Sequence, residues 1–289
     1  MNSWNLSQLV PWMLESGRLS LSYFDHPAME FKADHSIVTA ADRRVEAFWT
    51  ERLNQPNEGS FLLGEETIAQ QTEDFLEQAF RETAWIIDPI DGTAPFANGL
   101  PTWGVSLGLM QKGVLKEGIV LLPVLGELYY TKDGFTFREK LGSNPEEWTK
   151  NLGNPVRLEQ PEFKFLPPGS MISISQQLAR QGRYRLPYYV QATGSAVFGM
   201  VRLAAGSYGA LVTRFKLWDF AACVPMLANL GWTIVLHNDG KPFGLVMDDS
   251  NLIRKAGDPE RWSTHDHIVF APSIEAAAEI RAQTFFDGE

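Results

Sequence analysis

The 289 residues carry a formal net charge of −10 and are 44% hydrophobic, which is ample for the core of one large domain or two modest ones. No basic block exceeds the pair Arg43 and Arg44, which argues against a nucleic-acid surface built on phosphate neutralisation; the lone Cys223 excludes an intramolecular disulfide and a cysteine-rich metal site. No stretch approaches the roughly 18 apolar residues of a membrane span, and "MNSWNLSQLVPWMLESGRL" at the N-terminus has no basic segment leading into an apolar run, so the expectation is a cytoplasmic protein with no membrane partner.

No repeat or long linker divides the chain. It is expected to form one unit over residues 1–289, with an α+β half over about 1–140 and an α/β half over about 141–289. In "TAADRRVEAFWTERL", Val45, Phe48, Trp49 and Leu53 fall at helical spacing with Thr39 as N-cap, so Asp42 sits in the first turn. "SFLLGEET" is a short apolar strand that delivers Glu65 and Glu66, and "WIIDPIDGT" is a second one that delivers Asp88 and Asp91. "TWGVSLGLM" alternates as a strand, and "GIVLLPVLGELYYTKDG" reads as two strands around a turn. Further on, "MISIS" and "YGALVTRF" read as strands and "GSAVFGMVRLAAG" as a helix opened by Gly194 and Ser195. "LWDFAACVPMLANLGW" reads as a buried helix from near Asp219 to Gly231, with Pro225 kinking it or stopping it early. Layered sheets and helices follow, with acids gathered at strand ends and helix starts.

Asp42, Glu65, Glu66, Asp88, Asp91 and Asp219 each adjoin apolar residues that anchor them in the fold. Unpaired carboxylates in such places cost several kcal/mol or more, so cations are expected beside them. An all-oxygen donor set selects hard ions such as Mg²⁺, Mn²⁺ or Ca²⁺, and none of His26, His35, His237, His265 or His267 forms a ligand pattern with the acids. Pro89 restrains the chain after Asp88 and Gly92 lets it turn after Asp91, so both carboxylates can converge. Thr93 adds a hydroxyl that can accept or relay a proton, and "GTAPF", with a helix starting near Pro95, exposes backbone N–H groups as a cradle for phosphate oxygens. Metal ions beside an anion cradle point to phosphoryl chemistry, with water displacing an alcohol in line.

"GEET" at 64–67, "WIIDPIDGT" at 85–93 and "LWDFAA" at 217–222, with "VTAADRRVE" and "GSA", resemble the signature segments of the inositol monophosphatase-like family of metal-dependent phosphatases, in order from about residue 5 to about residue 275. The resemblance implies a five-layered αβαβα sandwich of the sugar-phosphatase type, a homodimer, sensitivity to lithium, and two or three Mg²⁺ ions that Mn²⁺ can replace. It implies that Glu65, Asp88 and the carbonyl of Ile90 hold one ion, that Asp88, Asp91 and Asp219 hold the second, and that a weaker third lies near Glu65 and Asp42. Thr93, bonded towards Asp42, and Glu65 would activate the water, while Asp91, Gly92, Thr93, Gly194, Ser195 and Asp219 would contact the substrate, a small phosphorylated polyol or sugar.

Two departures bear on substrate. Where inositol-type members carry an acid ahead of the Trp-Asp pair, this chain has Val212 and Thr213, with Arg214 and Lys216 nearby, a basic pair suited to a second anionic group. Ala94 replaces the usual second threonine after "DGT". Histidinol-phosphate phosphatase, 3′(2′),5′-bisphosphate nucleotidase and fructose-bisphosphate phosphatase activities are the rivals within the family, and a catalytically silent metal-binding relative is the non-enzymatic one. A haloacid-dehalogenase-like aspartyl nucleophile is disfavoured, because two residues separate Asp88 from Asp91 where that chemistry uses one. Cys223, Trp49, Trp103 and Trp232 are expected in the core, and Trp218 is expected to orient its neighbour Asp219.

Overall fold

Apolar residues alternate along the strands between two destinations, and that alternation stacks the molecule into layers. The computed structural model describes residues 3–25, 27–32 and 37–286. Its larger sheet has seven strands in the spatial order Ser60–Gly64, Thr83–Asp91, Gly104–Gln111, Val114–Leu122, Glu127–Lys132, Phe135–Lys140 and Val156–Arg157. Leu62, Trp85 and Ile87 turn to one face, where Leu9, Met13, Val45, Trp49 and Leu53 from the helices Leu6–Leu21 and Ala40–Leu53 cover them. Phe61, Leu63 and Ile86 turn to the other, against the helices Glu73–Arg81, Ala196–Ala204 and Cys223–Asn229. Because both faces are covered, Thr83–Asp91 is buried along its whole length.

The second sheet has five strands, ordered Tyr189–Gln191, Met171–Ile174, Ala210–Thr213, Ile268–Ala271 and Thr233–Leu236. Leu211, Ile268 and Phe270 join the central helical layer, while Ala210, Val212 and Val269 face outward onto the helices Gln176–Gln181 and Ile274–Gln283. Helix, sheet, helix, sheet and helix thus succeed one another, the expected αβαβα sandwich. The Leu6–Leu21 helix, with Pro11 inside it, is not among the elements expected.

The helix expected from Asp219 to Gly231 is two helices, Leu217–Phe220 and Cys223–Asn229. Pro225 has no N–H to offer the carbonyl of Ala221 and its ring collides there, so the chain breaks four residues ahead of the proline. The displaced backbone presses on the larger sheet: a Cβ on Gly118 would lie 1.9 Å from the oxygen of Ala222, and one on Gly108 would lie 2.7 Å from the carbonyl carbon of Ala221. Only glycines at these two strand positions let the split helix lie close to the sheet.

Candidate active site

The strands Ser60–Gly64 and Thr83–Asp91 run parallel with Gly64 beside Ile87, so Glu65 and Asp88 leave the same end of the sheet as neighbours. In a regular strand, Asp88 and Asp91, three residues apart, point to opposite faces. The register against Gly104–Gln111 shifts between them, Asp88 pairing with Ser106 and Asp91 with Gly104. This bulge brings both carboxylates to one side. Asp219 enters from the first turn of Leu217–Phe220, its Oδ2 accepting the Lys216 N–H at 2.8 Å. The carboxylates of Asp88, Asp91 and Asp219 lie within 4.8 Å of one another, with Asp88 1% and Asp91 4% exposed.

Burial, and then the charges of its acidic neighbours, pushes the Asp88 carboxyl well above the ordinary range. Burial does the same to Asp219, with Asp91 adding to it, and raises Asp91 to about 7. Such a cluster is unfavourable by itself, and an oxygen-only set of acids this close fits hard divalent cations. Asp91 is held from a distant helix: its Oδ1 accepts the hydroxyl hydrogen of Ser195 and, at 3.0 Å, the N–H of Val197. Ser195, expected at the substrate, therefore directs its hydroxyl to Asp91 while capping Ala196–Ala204.

The chain turns after Asp91 through Gly92, at φ 90°, into a short helix, Thr93–Ala97, that begins two residues before the expected Pro95. A Cβ on Gly92 would stand 2.8 Å from that of Ser195, so glycine is required there. Thr93 Oγ1 lies 3.2 Å from the Ile90 carbonyl oxygen and 3.4 Å from Asp42 Oδ1. Asp42 is fully buried, and its Oδ2 accepts the N–H and hydroxyl of Thr39 at 2.7 and 2.6 Å, the expected helix start. Burial pushes its carboxyl up to about 6. Asp42, Thr93 and Ile90 are thus joined.

Lys32 Nζ stands 3.0 Å from Glu65 Oε1 and 2.7 Å from Glu66 Oε1. Burial alone would lower its pKa, but the two carboxylates outweigh that and raise it, while burial and the charge of Glu65 lift Glu66 to about 7. Glu46, 1% exposed, accepts the Glu66 N–H at 2.8 Å and packs against Gly64. Sequence reasoning missed both Lys32 and Glu46. Glu46 follows Asp42 by four residues on one helix face, and that spacing could have revealed it.

Glu65, Asp88, Asp91, Thr93, Gly194 and Asp219 line a cleft of about 450 Å³. Gly194 and Ala196 also border a second recess of about 260 Å³, which Arg214 lines as well. Lys216 faces a different pocket, beside Lys32, Glu65 and Trp218, with Nζ 5.6 Å from the Trp218 ring. The basic pair expected from the sequence is therefore divided between two pockets. Trp218 is 4% exposed and packs in the core with Cys223 and Trp232; Trp49 and Trp103 belong to the core on the opposite face of the sheet. Of the five histidines, His26 and His35 lie outside the described residues; the described ones take no part in the acid cluster.

Residues 13–271 match the model of the inositol monophosphatase family. The chain is 28% identical over 261 residues to a histidinol-phosphatase of Chlorobaculum parvum, covering 86% of this chain and 94% of that one. It is 26% identical over 262 residues to an inositol-1-monophosphatase of Bacillus subtilis, covering 88% and 91%. Among solved structures, an inositol monophosphatase from Thermotoga maritima superposes with a TM-score of 0.68 at 20% identity, over 95% of this chain and 97% of that one.

Proposed function

The chain belongs to the inositol monophosphatase family, and we propose that it is a Mg²⁺-dependent phosphatase of small phosphorylated polyols or sugars, a metal-dependent phosphomonoesterase as the family is. The observation that carries the reading is the cluster of the buried Asp88 and Asp91 with the half-buried Asp219, whose carboxylates approach within 4.8 Å. In this reading Glu65, Asp88 and the Ile90 carbonyl hold one Mg²⁺, and Asp88, Asp91 and Asp219 a second. A third, weaker ion belongs near Glu65 and Asp42, and Mn²⁺ substitutes. When bound, the ions supply Lewis-acid stabilisation of the charge that develops on the phosphoryl group.

The remaining chemistry falls to the chain. Thr93 directs its hydroxyl hydrogen towards Asp42 or the Ile90 carbonyl, so its oxygen is free to take a hydrogen bond from the attacking water, with Glu65 as the second group orienting that water. The N–H groups of Gly92 and Thr93 face the phosphate at the start of the short helix. Gly194 and Ser195 border the alcohol, and Ser195 also steadies Asp91. The names of the relatives carry inositol 1-phosphate and histidinol phosphate over as candidate substrates. A cytoplasmic, lithium-sensitive homodimer completes the proposal.

The test is phosphate release with and without Mg²⁺ across inositol 1-phosphate, histidinol phosphate, 3′-phosphoadenosine 5′-phosphate and fructose 1,6-bisphosphate. Release from one of them at kcat/KM of at least roughly 10⁴ M⁻¹s⁻¹, the lower end for enzymes, supports the reading. Mg²⁺ that raises the melting temperature without turnover of any ester favours the silent relative instead.

A further inference from the structure

Asp219 stands on a helix too short to place itself. Leu217–Phe220 has four residues, and its start is tied to a remote segment. The N–H of Leu217 donates to the carbonyl of Trp262 at 2.8 Å, and the N–H of Thr264 donates to the carbonyl of Phe215 at 2.8 Å. Between them Lys216 and Ser263 pair in an antiparallel bridge. The segment is fixed on its other side as well, the Trp262 N–H donating to the Ile253 carbonyl at 2.6 Å and the Ile253 N–H to the Ser263 carbonyl at 2.9 Å.

Trp262 makes its two bonds from a conformation that a large side chain avoids. The Ser263 N–H donates to the Glu260 carbonyl at 2.9 Å, so Trp262 is the third residue of a tight turn, and its φ of 75° is the one that type II turns give to glycine or asparagine. Lys112 and Asp133, the other non-glycine residues with positive φ among the described ones, each precede a glycine between two hairpin strands, where that conformation is ordinary. Trp262 has no such reason, and its ring is what holds it. The ring is buried and stacks on Phe80, with centroids 5.9 Å apart and planes at 20°. The guanidinium of Arg261 lies over it at 4.7 Å and pairs with Glu73 at 2.7 and 2.8 Å. Glu73 and Phe80 belong to the helix Glu73–Arg81, which packs on the strands that deliver Glu65 and Asp88.

We propose that Trp262 is a positioning residue for Asp219: its ring anchors on the helix Glu73–Arg81, and the left-handed backbone this enforces aims its carbonyl at the Leu217 N–H, fixing where Asp219 joins Asp88 and Asp91. The inference rests on the phosphatase reading above. A strained backbone persists only where its surroundings over-determine it, and such residues cluster at functional sites. Here the strain joins two deliveries of acids. The helix Glu73–Arg81 packs on the strands of Glu65 and Asp88 and, through Trp262, sets the start of the helix that carries Asp219. A turn that relaxed would take the acceptor away from Leu217, and Asp219 would be free to withdraw from the like charges beside it.

The experiment is isothermal titration of the full-length protein with Mg²⁺, for wild type, Trp262→Ala and Trp262→Gly. Both variants lose the ring, and both should melt below wild type. They differ in that alanine resists a positive φ and glycine does not. Half-saturation for Trp262→Ala should therefore lie about threefold or more above that for Trp262→Gly, within what the left-handed conformation costs a residue with a Cβ. A ring that merely fills the core predicts the same half-saturation for the two variants; that result overturns the inference and leaves the phosphatase reading intact. If Trp262→Ala does not fold, Trp262→Leu and Trp262→Asn repeat the comparison, because asparagine accepts positive φ and leucine does not, and half-saturation no higher for Trp262→Leu overturns the inference in the same way. Folded wild type that neither binds Mg²⁺ nor releases phosphate from any of the four esters overturns both.

Discussion

Ser195 donates its hydroxyl hydrogen to Oδ1 of Asp91, tying a helix of the central layer to the end of a strand in the larger sheet. The same hydroxyl oxygen accepts the Phe198 N–H at 3.0 Å, so one side chain both caps the helix and orients an acid. With Oδ1 engaged, Asp91 keeps its other oxygen for the cluster.

Ser195→Ala should therefore act twice. Loss of the cap costs about 1 kcal/mol, read as a lower melting temperature, and loss of the bond to Asp91 raises the Mg²⁺ concentration for half-saturation severalfold. A lower melting temperature with unchanged Mg²⁺ half-saturation would reduce Ser195 to a helix cap.

Asp88→Asn should abolish phosphate release and the Mg²⁺-induced rise in melting temperature. In EDTA the same variant should melt above the wild type, because it removes one buried charge from a cluster where burial and neighbouring acids oppose ionisation. Melting curves of both proteins with EDTA and with Mg²⁺ check all three expectations. A variant less stable than wild type in EDTA would show that the cluster is not strained without its ions.

Thr93→Ala removes a hydroxyl and no carboxylate. It should lower kcat about 10²-fold, the lower end of what proton-transfer groups contribute, while Mg²⁺ half-saturation stays within about twofold. Isothermal titration with Mg²⁺ alongside steady-state kinetics separates the two. A loss of Mg²⁺ binding equal to that of Asp88→Asn would contradict the role given to Thr93.

His267 supplies a dependence on pH away from the acids. Its ring stacks on Phe286 and its Nε2 lies 3.3 Å from Gln177 Oε1; burial, then the charges of His237 and Arg214, lowers its pKa to about 4. Between about 6.5 and 4 the unfolded chain binds the proton more readily than the folded one, so stability is full above that window and falls as the solution is acidified through it. His267→Gln should melt with a shallower pH dependence than wild type across the window. Parallel curves for the two proteins would mean that His267 titrates normally.

Much of the site was legible because its acids adjoin strong local signals. Asp88 and Asp91 follow the apolar run Trp85 to Ile87, Asp42 follows the capping Thr39, and Asp219 sits among Leu217, Trp218 and Phe220, so their elements could be placed by pattern alone. The split at Ala221 was only half legible. Pro225 announced a break, but its position depends on which carbonyl the missing N–H leaves unpaired.

What the sequence by itself determined is the chemistry on offer: acids without a cysteine or a histidine pattern among them, a hydroxyl beside them, and a glycine where the chain must turn. Only the tertiary structure decided which of those groups meet. Residue spacing puts Asp88 and Asp91 on opposite faces of a strand, and a bulge against the neighbouring strand reverses that. Lys32 reaches Glu65 across 33 residues and Ser195 reaches Asp91 across 104. Local propensity constrains only neighbours along the chain, whereas these contacts form when the layers close on one another.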